Sequence, residues 1–71
     1  MKDLKKVVGE NIKKFRKSEG LTQQELSRRT GISRGYIGDL ENARKHSMSL
    51  VTLQKLSNKL GVSIPDLLKE S

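Results

Sequence analysis

Twenty residues, Gln23 to Asn42 (QQELSRRTGISRGYIGDLEN), constrain this chain more than any other segment. They spell two short helices joined by a tight turn. Leu26, Ile32, Ile37 and Leu40 supply the apolar contacts that hold such a pair against a body. Ser27 is small where the two helices have to cross. Gly31 supplies the positive φ that so abrupt a reversal needs.

The flanking sequence is helical by the same reading. Leu4, Val7, Val8, Ile12 and Phe15 recur at three- and four-residue intervals, with Lys5, Lys6, Lys13, Lys14 and Lys17 on the other side. This first helix is predicted to stop at Gly20. Thr22-Gln-Gln-Glu25 is a capping box that opens the second helix, and Gly31 closes it. Ser33 caps the third, which ends near Asn42. Residues 43–48 (ARKHSM) form a basic, polar connection. Ser49 caps a fourth helix with Leu50, Leu53, Leu56 and Leu60 as its inner stripe, closed by Gly61. Ser63-Ile-Pro-Asp66 is a second capping box, with Pro65 tolerated in the first turn of a short last helix. Strand signals are nearly absent. The expectation is an all-α, compact five-helix domain over residues 1–71, with the paired helices over 22–42.

Composition bounds what such a domain does. At 71 residues it builds one small core, and without cysteine it has neither a disulfide nor a thiolate metal site. No apolar run approaches a membrane span, and no signal-peptide core follows Met1. These features lead us to expect a soluble cytoplasmic protein. Fifteen Lys and Arg against eight Asp and Glu give a formal charge of +7. Twelve of those basic residues and six of the acidic ones precede Ser49, so the excess sits on one part of the domain. That is the footprint of a polyanion binder, although a merely solvated lysine-rich surface carries the same charge.

Two helices with this turn and these apolar positions form the pattern of a DNA-binding helix-turn-helix, whose second helix enters the major groove. Gly31-Ile-Ser-Arg-Gly-Tyr-Ile-Gly-Asp-Leu-Glu-Asn42, preceded by Leu21-Thr-Gln-Gln-Glu-Leu26 and followed by Leu60-Gly-Val-Ser63, resembles the phage repressor and Cro (XRE-like) family. The resemblance runs from about Gly9 to Leu68. It implies a five-helix fold that binds operator DNA, usually as a two-fold dimer, and a regulator that acts most often as a repressor.

The resemblance also implies roles for particular residues. Gln23 matches a glutamine that holds a phosphate, where the amide end of the second helix points its dipole at the DNA backbone. Ser33, Arg34, Gly35, Gly38 and Asp39 match positions that read base edges. Asn42 and the loop residues Arg44, Lys45 and His46 match positions that grip the backbone, and Tyr36 flanks that surface with a hydroxyl for a phosphate. Arg16 and Glu41 match a partly buried ion pair, which makes Glu41 a structural residue despite its place in the motif.

Chemistry sharpens some of these. The Arg34 guanidinium can bond guanine O6 and N7 together, or else meet only phosphate. Asp39 can accept from cytosine N4, orient Arg34, or exclude wrong sequences by repulsion. Gly35 lets the helix backbone sit deep in the groove; Gly38 does the same or makes room for packing. Val51, Ile64, Leu67 and Leu68, with Leu60, are candidates for an isologous dimer interface, the other reading being that they face the core.

The sequence departs from the family pattern at three places. Ala43 stands where many members have glycine, so the third helix is expected to run on or end differently. Thr30 replaces a usual apolar residue and leaves a hydroxyl to satisfy. The loop to Ser49 is somewhat long. No catalytic constellation is present: His46 is the sole histidine, Ser33 has no base to activate it, and no metal, cofactor or small-molecule ligand is called for. The partner expected is double-stranded DNA. The alternative is an antitoxin or protein-interaction module on the same fold, with DNA binding secondary.

Overall fold

A computed structural model of the chain describes residues 3–44 and 48–70. Its elements are α1 (Leu4–Ser18), α2 (Gln23–Thr30), α3 (Arg34–Glu41), α4 (Leu50–Leu60) and α5 (Ile64–Leu68). The described residues contain no strand, and no helix among them is long and apolar enough to cross a membrane.

Local chemistry sets the boundaries. Thr22, Ser33, Ser49 and Ser63 each adopt extended backbone and cap the next helix through the side-chain oxygen. Both capping boxes are closed in both directions, Glu25 reaching the Thr22 amide and Asp66 the Ser63 amide, each at 3.0 Å. Those backbone bonds hold both carboxyls below their ordinary range. Gly31 (φ +76°) closes α2 in the left-handed conformation.

The inner faces meet in one core, with Ile12, Leu26, Ile37, Leu56 and Leu67 fully buried. α1 packs across α3 and α5, while α2 lies between α3 and α4. Asn11, also buried, donates Nδ2 to the carbonyls of Leu67 and Lys69, both at 2.8 Å. It thereby satisfies carbonyls at the end of α5 and ties the C-terminal segment to α1.

Three expectations need correction. Leu50 does not join the α4 stripe: it is 76% exposed. As the first residue of the helix it leans toward the N-terminus, beyond the packed body. Leu4 is likewise exposed at the start of α1. Leu67, a candidate for the dimer interface, has no accessible surface, because it plugs the core between α1 and α4 and has nothing to offer a second copy. The Thr30 hydroxyl is satisfied locally, donating to the Leu26 carbonyl at 2.8 Å and accepting from the Ile32 amide at 3.1 Å.

Gly9 sets the α1–α3 approach. A Cβ built there would lie 2.3 Å from the Leu40 carbonyl oxygen and 3.1 Å from that of Glu41. Only a glycine lets α1 pass this close to the end of α3, which offsets the helix propensity it forfeits. Gly9→Ala is expected to lower stability by about 1–3 kcal/mol through overpacking. Thermal unfolding checks this, with a melting point lower by on the order of 10 °C.

Candidate nucleic-acid interface

α2 and α3 form the paired helices, and the turn between them is held by its own polar groups. Ser27 Oγ donates to the Ile32 carbonyl at 2.6 Å, so the small residue at the crossing also fastens the turn. Ile32, Ile37 and Leu40 are buried beneath it. With those three facing in, the other side of α3 faces out. Ser33, Arg34 and Gly35 are exposed, Gly38 and Asp39 partly so, and Tyr36 packs half-buried at the edge. Arg34 and Gly38, like Gly35 and Asp39, stand four residues apart and therefore share strips of that surface.

The two glycines differ in what surrounds them. A Cβ at Gly35 would meet nothing within 4 Å, whereas one at Gly38 would sit 3.9 Å from the Gln23 side-chain amide, an ordinary contact. Neither is required by packing inside the chain.

A buried ion pair sits behind this surface. Arg16 Nε reaches Glu41 Oε2 at 2.7 Å and Nη2 reaches Oε1 at 3.1 Å, a bidentate arrangement with side chains only 9% and 2% exposed. Arg16 Nη1 donates to the Leu21 carbonyl at 2.7 Å. Gln23 Nε2 donates to Glu41 Oε1 at 3.1 Å. One carboxylate thus holds α1, α3 and the first residue of α2 together, and the Gln23 amide keeps its second N–H. An open concavity of about 500 Å³ lies in front, lined by Arg16, Gly20, Leu21, Thr22, Gln23, Gln24 and Arg34. Gln23 and Arg34, eleven residues apart in sequence, therefore share one basic hollow at the amide end of α2. The contributions of Thr22 and Gln24 to it were not singled out in the sequence, where both read only as helix-start residues.

α3 ends at Glu41 with Asn42 as its cap, as expected. The helix does not run on. Ala43 adopts φ +58°, the left-handed conformation normally given to glycine. Its amide donates to the Leu40 carbonyl at 3.2 Å, and that of Arg44 donates to the Asp39 carbonyl at 2.8 Å. These two bonds make a complete Schellman motif on a non-glycine residue. Asn42 Nδ2 donates back to the Gly38 carbonyl at 2.8 Å. The motif also brings Arg44 Nη1 to Asp39 Oδ1 at 3.1 Å, so Asp39 faces Arg44 across the cap. Sequence spacing gave no hint of this pair, because five residues is not a helical-face interval. Lys45 and His46 lie outside the described residues.

On α4 and α5, Val51 is 63% and Leu68 39% exposed, while Ile64 packs half-buried against the core.

The helix-turn-helix family profile matches residues 12–67. The chain belongs to the helix-turn-helix family. It is a DNA-binding transcriptional regulator, not an enzyme. Among its relatives, an uncharacterized HTH-type transcriptional regulator, y4dJ of Sinorhizobium fredii, is 41% identical over 61 residues, 86% of this chain and 78% of that one. The control protein C.SmaI of Serratia marcescens is 35% identical over 66 residues, 93% of this chain and 77% of its own. The biofilm master regulator SinR, solved in complex with DNA, superposes with a TM-score of 0.84 at 32% identity, covering 87% of this chain and 98% of the other.

An alanine in the left-handed region costs roughly 1–2 kcal/mol relative to its ordinary conformations. Ala43→Gly is therefore expected to raise stability by about 0.5–1 kcal/mol after the added chain entropy is deducted. Urea denaturation checks this: the midpoint should rise with an unchanged slope.

Proposed function

We propose that this regulator is a sequence-specific repressor that sets α3 into the major groove of a two-fold-symmetric operator and binds it as a homodimer in the cytoplasm. One observation carries the reading: the outward face of α3 begins with Arg34, which shares a basic hollow with Gln23 at the amide end of α2. A groove-bound helix needs that juxtaposition, because one group must reach bases while its neighbour holds the adjacent phosphate.

In this reading Arg34 bonds a guanine edge, and Ser33, Gly35, Gly38 and Asp39 complete the base-facing strip. The absence of side chains at Gly35 and Gly38 lets the helix backbone approach the base edges closely. Gln23 gives its second N–H to a phosphate, reinforced by the α2 dipole. Tyr36, Asn42 and Arg44 lie along the flanking strand, and Lys45 and His46 continue that basic run in the sequence. That SinR, which shares this fold, was solved with DNA supports DNA as the partner.

Dimerisation follows from contact area, since one headpiece of this size covers too few base pairs for a tight specific site. Val51 and Leu68, with the half-buried Ile64, are apolar positions that α4 and α5 leave for a second copy. Leu50, next to Val51 and more exposed still, joins them. Half-sites are then expected about one helical turn apart, roughly 34 Å.

Titrating variants against a panel of duplexes tests the assignment. Arg34→Ala is expected to lose discrimination at one base pair, about 1–3 kcal/mol. Gln23→Ala is expected to weaken binding to all sequences alike. Equal weakening of every sequence by Arg34→Ala would remove Arg34 from the base-reading set.

A further inference from the structure

The last turn of α3 carries two acids, Asp39 and Glu41, and no basic residue. Carboxylates are disfavoured there, because the helix dipole is negative at its C-terminal end. Each is answered by an arginine from outside the helix, Glu41 by Arg16 in the interior and Asp39 by Arg44 at the surface. The first pair is closed off from solvent. The second is open, with Arg44 66% and Asp39 32% exposed at the side chain. It stands between the base-facing strip and the flanking strand of the proposed complex.

The arrangement is built into the backbone. The Arg44 amide is bonded to the Asp39 carbonyl at 2.8 Å, and Ala43 takes the left-handed turn that makes this possible. The guanidinium is thus delivered back over the carboxylate. An exposed pair of this kind is weak and exchangeable, since solvent and a competing partner can each replace one half of it.

The geometry points to Asp39 as a specificity-determining residue that acts through Arg44, withholding the guanidinium from phosphates until a base amino group takes its place on the carboxylate. This deepens the proposed major-groove reading and rests on it. On non-cognate DNA Asp39 faces the groove with no donor opposite. Arg44 stays paired to it there and adds no phosphate contact. On the cognate site an amino group such as cytosine N4 donates to Asp39. Arg44 is then released to a phosphate on the adjoining strand. A single acid thereby lowers non-specific affinity and raises specific affinity, and discrimination is the ratio of the two.

The test compares wild type, Asp39→Asn, Arg44→Gln and the double variant. Each is titrated against the duplex most enriched from a random pool and against a scrambled duplex, over a range of salt. Thermal melting establishes that each variant is folded, and Arg44→Lys serves as a variant that keeps the charge. On the scrambled duplex Arg44→Gln is expected to keep the wild-type salt slope, because no phosphate contact is lost there. Asp39→Asn is expected to bind it severalfold tighter, with a salt slope steeper by about 0.9, the value of one added phosphate contact. In the double variant that gain should vanish. On the enriched duplex Arg44→Gln alone should bind more weakly, with a slope shallower by a similar amount, and Arg44→Lys should restore the slope.

An equally shallower salt slope on both duplexes in Arg44→Gln would overturn the inference, because Arg44 would then be an ordinary phosphate contact. So would a gain from Asp39→Asn that persists in the double variant, which would reduce Asp39 to general repulsion. If wild type fails to discriminate between the duplexes, the major-groove reading falls with it. If wild type discriminates and only the Asp39–Arg44 coupling is missing, the failure belongs to this inference alone.

Discussion

The Arg16–Glu41 pair joins the three helices on which the outer surface depends. Glu41 ends α3, Arg16 lies late in α1, and both reach the start of α2 through the Leu21 carbonyl and the Gln23 amide. Burying two charges costs several kcal/mol per ion, and only good geometry with further hydrogen bonds recovers it. Here the carboxylate receives three donors, two from the guanidinium and one from Gln23. The pair fixes orientation more than it adds stability. Gly9 serves the same end by letting α1 approach α3 closely enough for the charges to meet.

That constraint reaches outward. Gln23 is oriented by a carboxylate that is itself held by α1, so the side chain proposed to grip phosphate is set before DNA arrives. A side chain already held in its bound geometry loses little entropy on binding, and this preorganisation adds affinity without adding contacts. Arg34, by contrast, stands exposed on the first turn of α3, where it is free to adjust to a base edge. A preset side chain for phosphate beside an exposed one for base edges is what the proposed function asks of this surface.

Much of the fold is legible in the sequence because helix ends are local chemistry. Thr22, Ser33, Ser49 and Ser63 cap the residues that follow them, and Gly31 and Gly61 close α2 and α4. What escaped the sequence depends on surroundings. Leu50 continues the spacing of Leu53 and Leu56, yet at the head of α4 it stays exposed while Leu53, in the same turn, is buried. Leu67 and Leu68 are adjacent leucines, and only the packing of α5 on the body decides that the first is buried and the second exposed. Ala43 reads as a helix former, but closure of the Schellman bonds outweighs its preference. The Asp39–Arg44 contact is created by that same turn and has no periodic signature. The motif that named the candidate surface was legible, and the resemblance supplied the Arg16–Glu41 pair behind it; the contacts of Gln23 with Glu41 and of Asp39 with Arg44 were not legible.

The measurement that tests this account most directly is selection of bound duplexes from a random DNA pool at about 150 mM salt, where exposed charges are well screened. The account predicts enrichment of one two-fold-symmetric site with half-sites about one helical turn apart. Binding confined to low salt, with no sequence enriched, would contradict it. The basic surface would then be a non-specific one, and the chain's specific partner would be a protein.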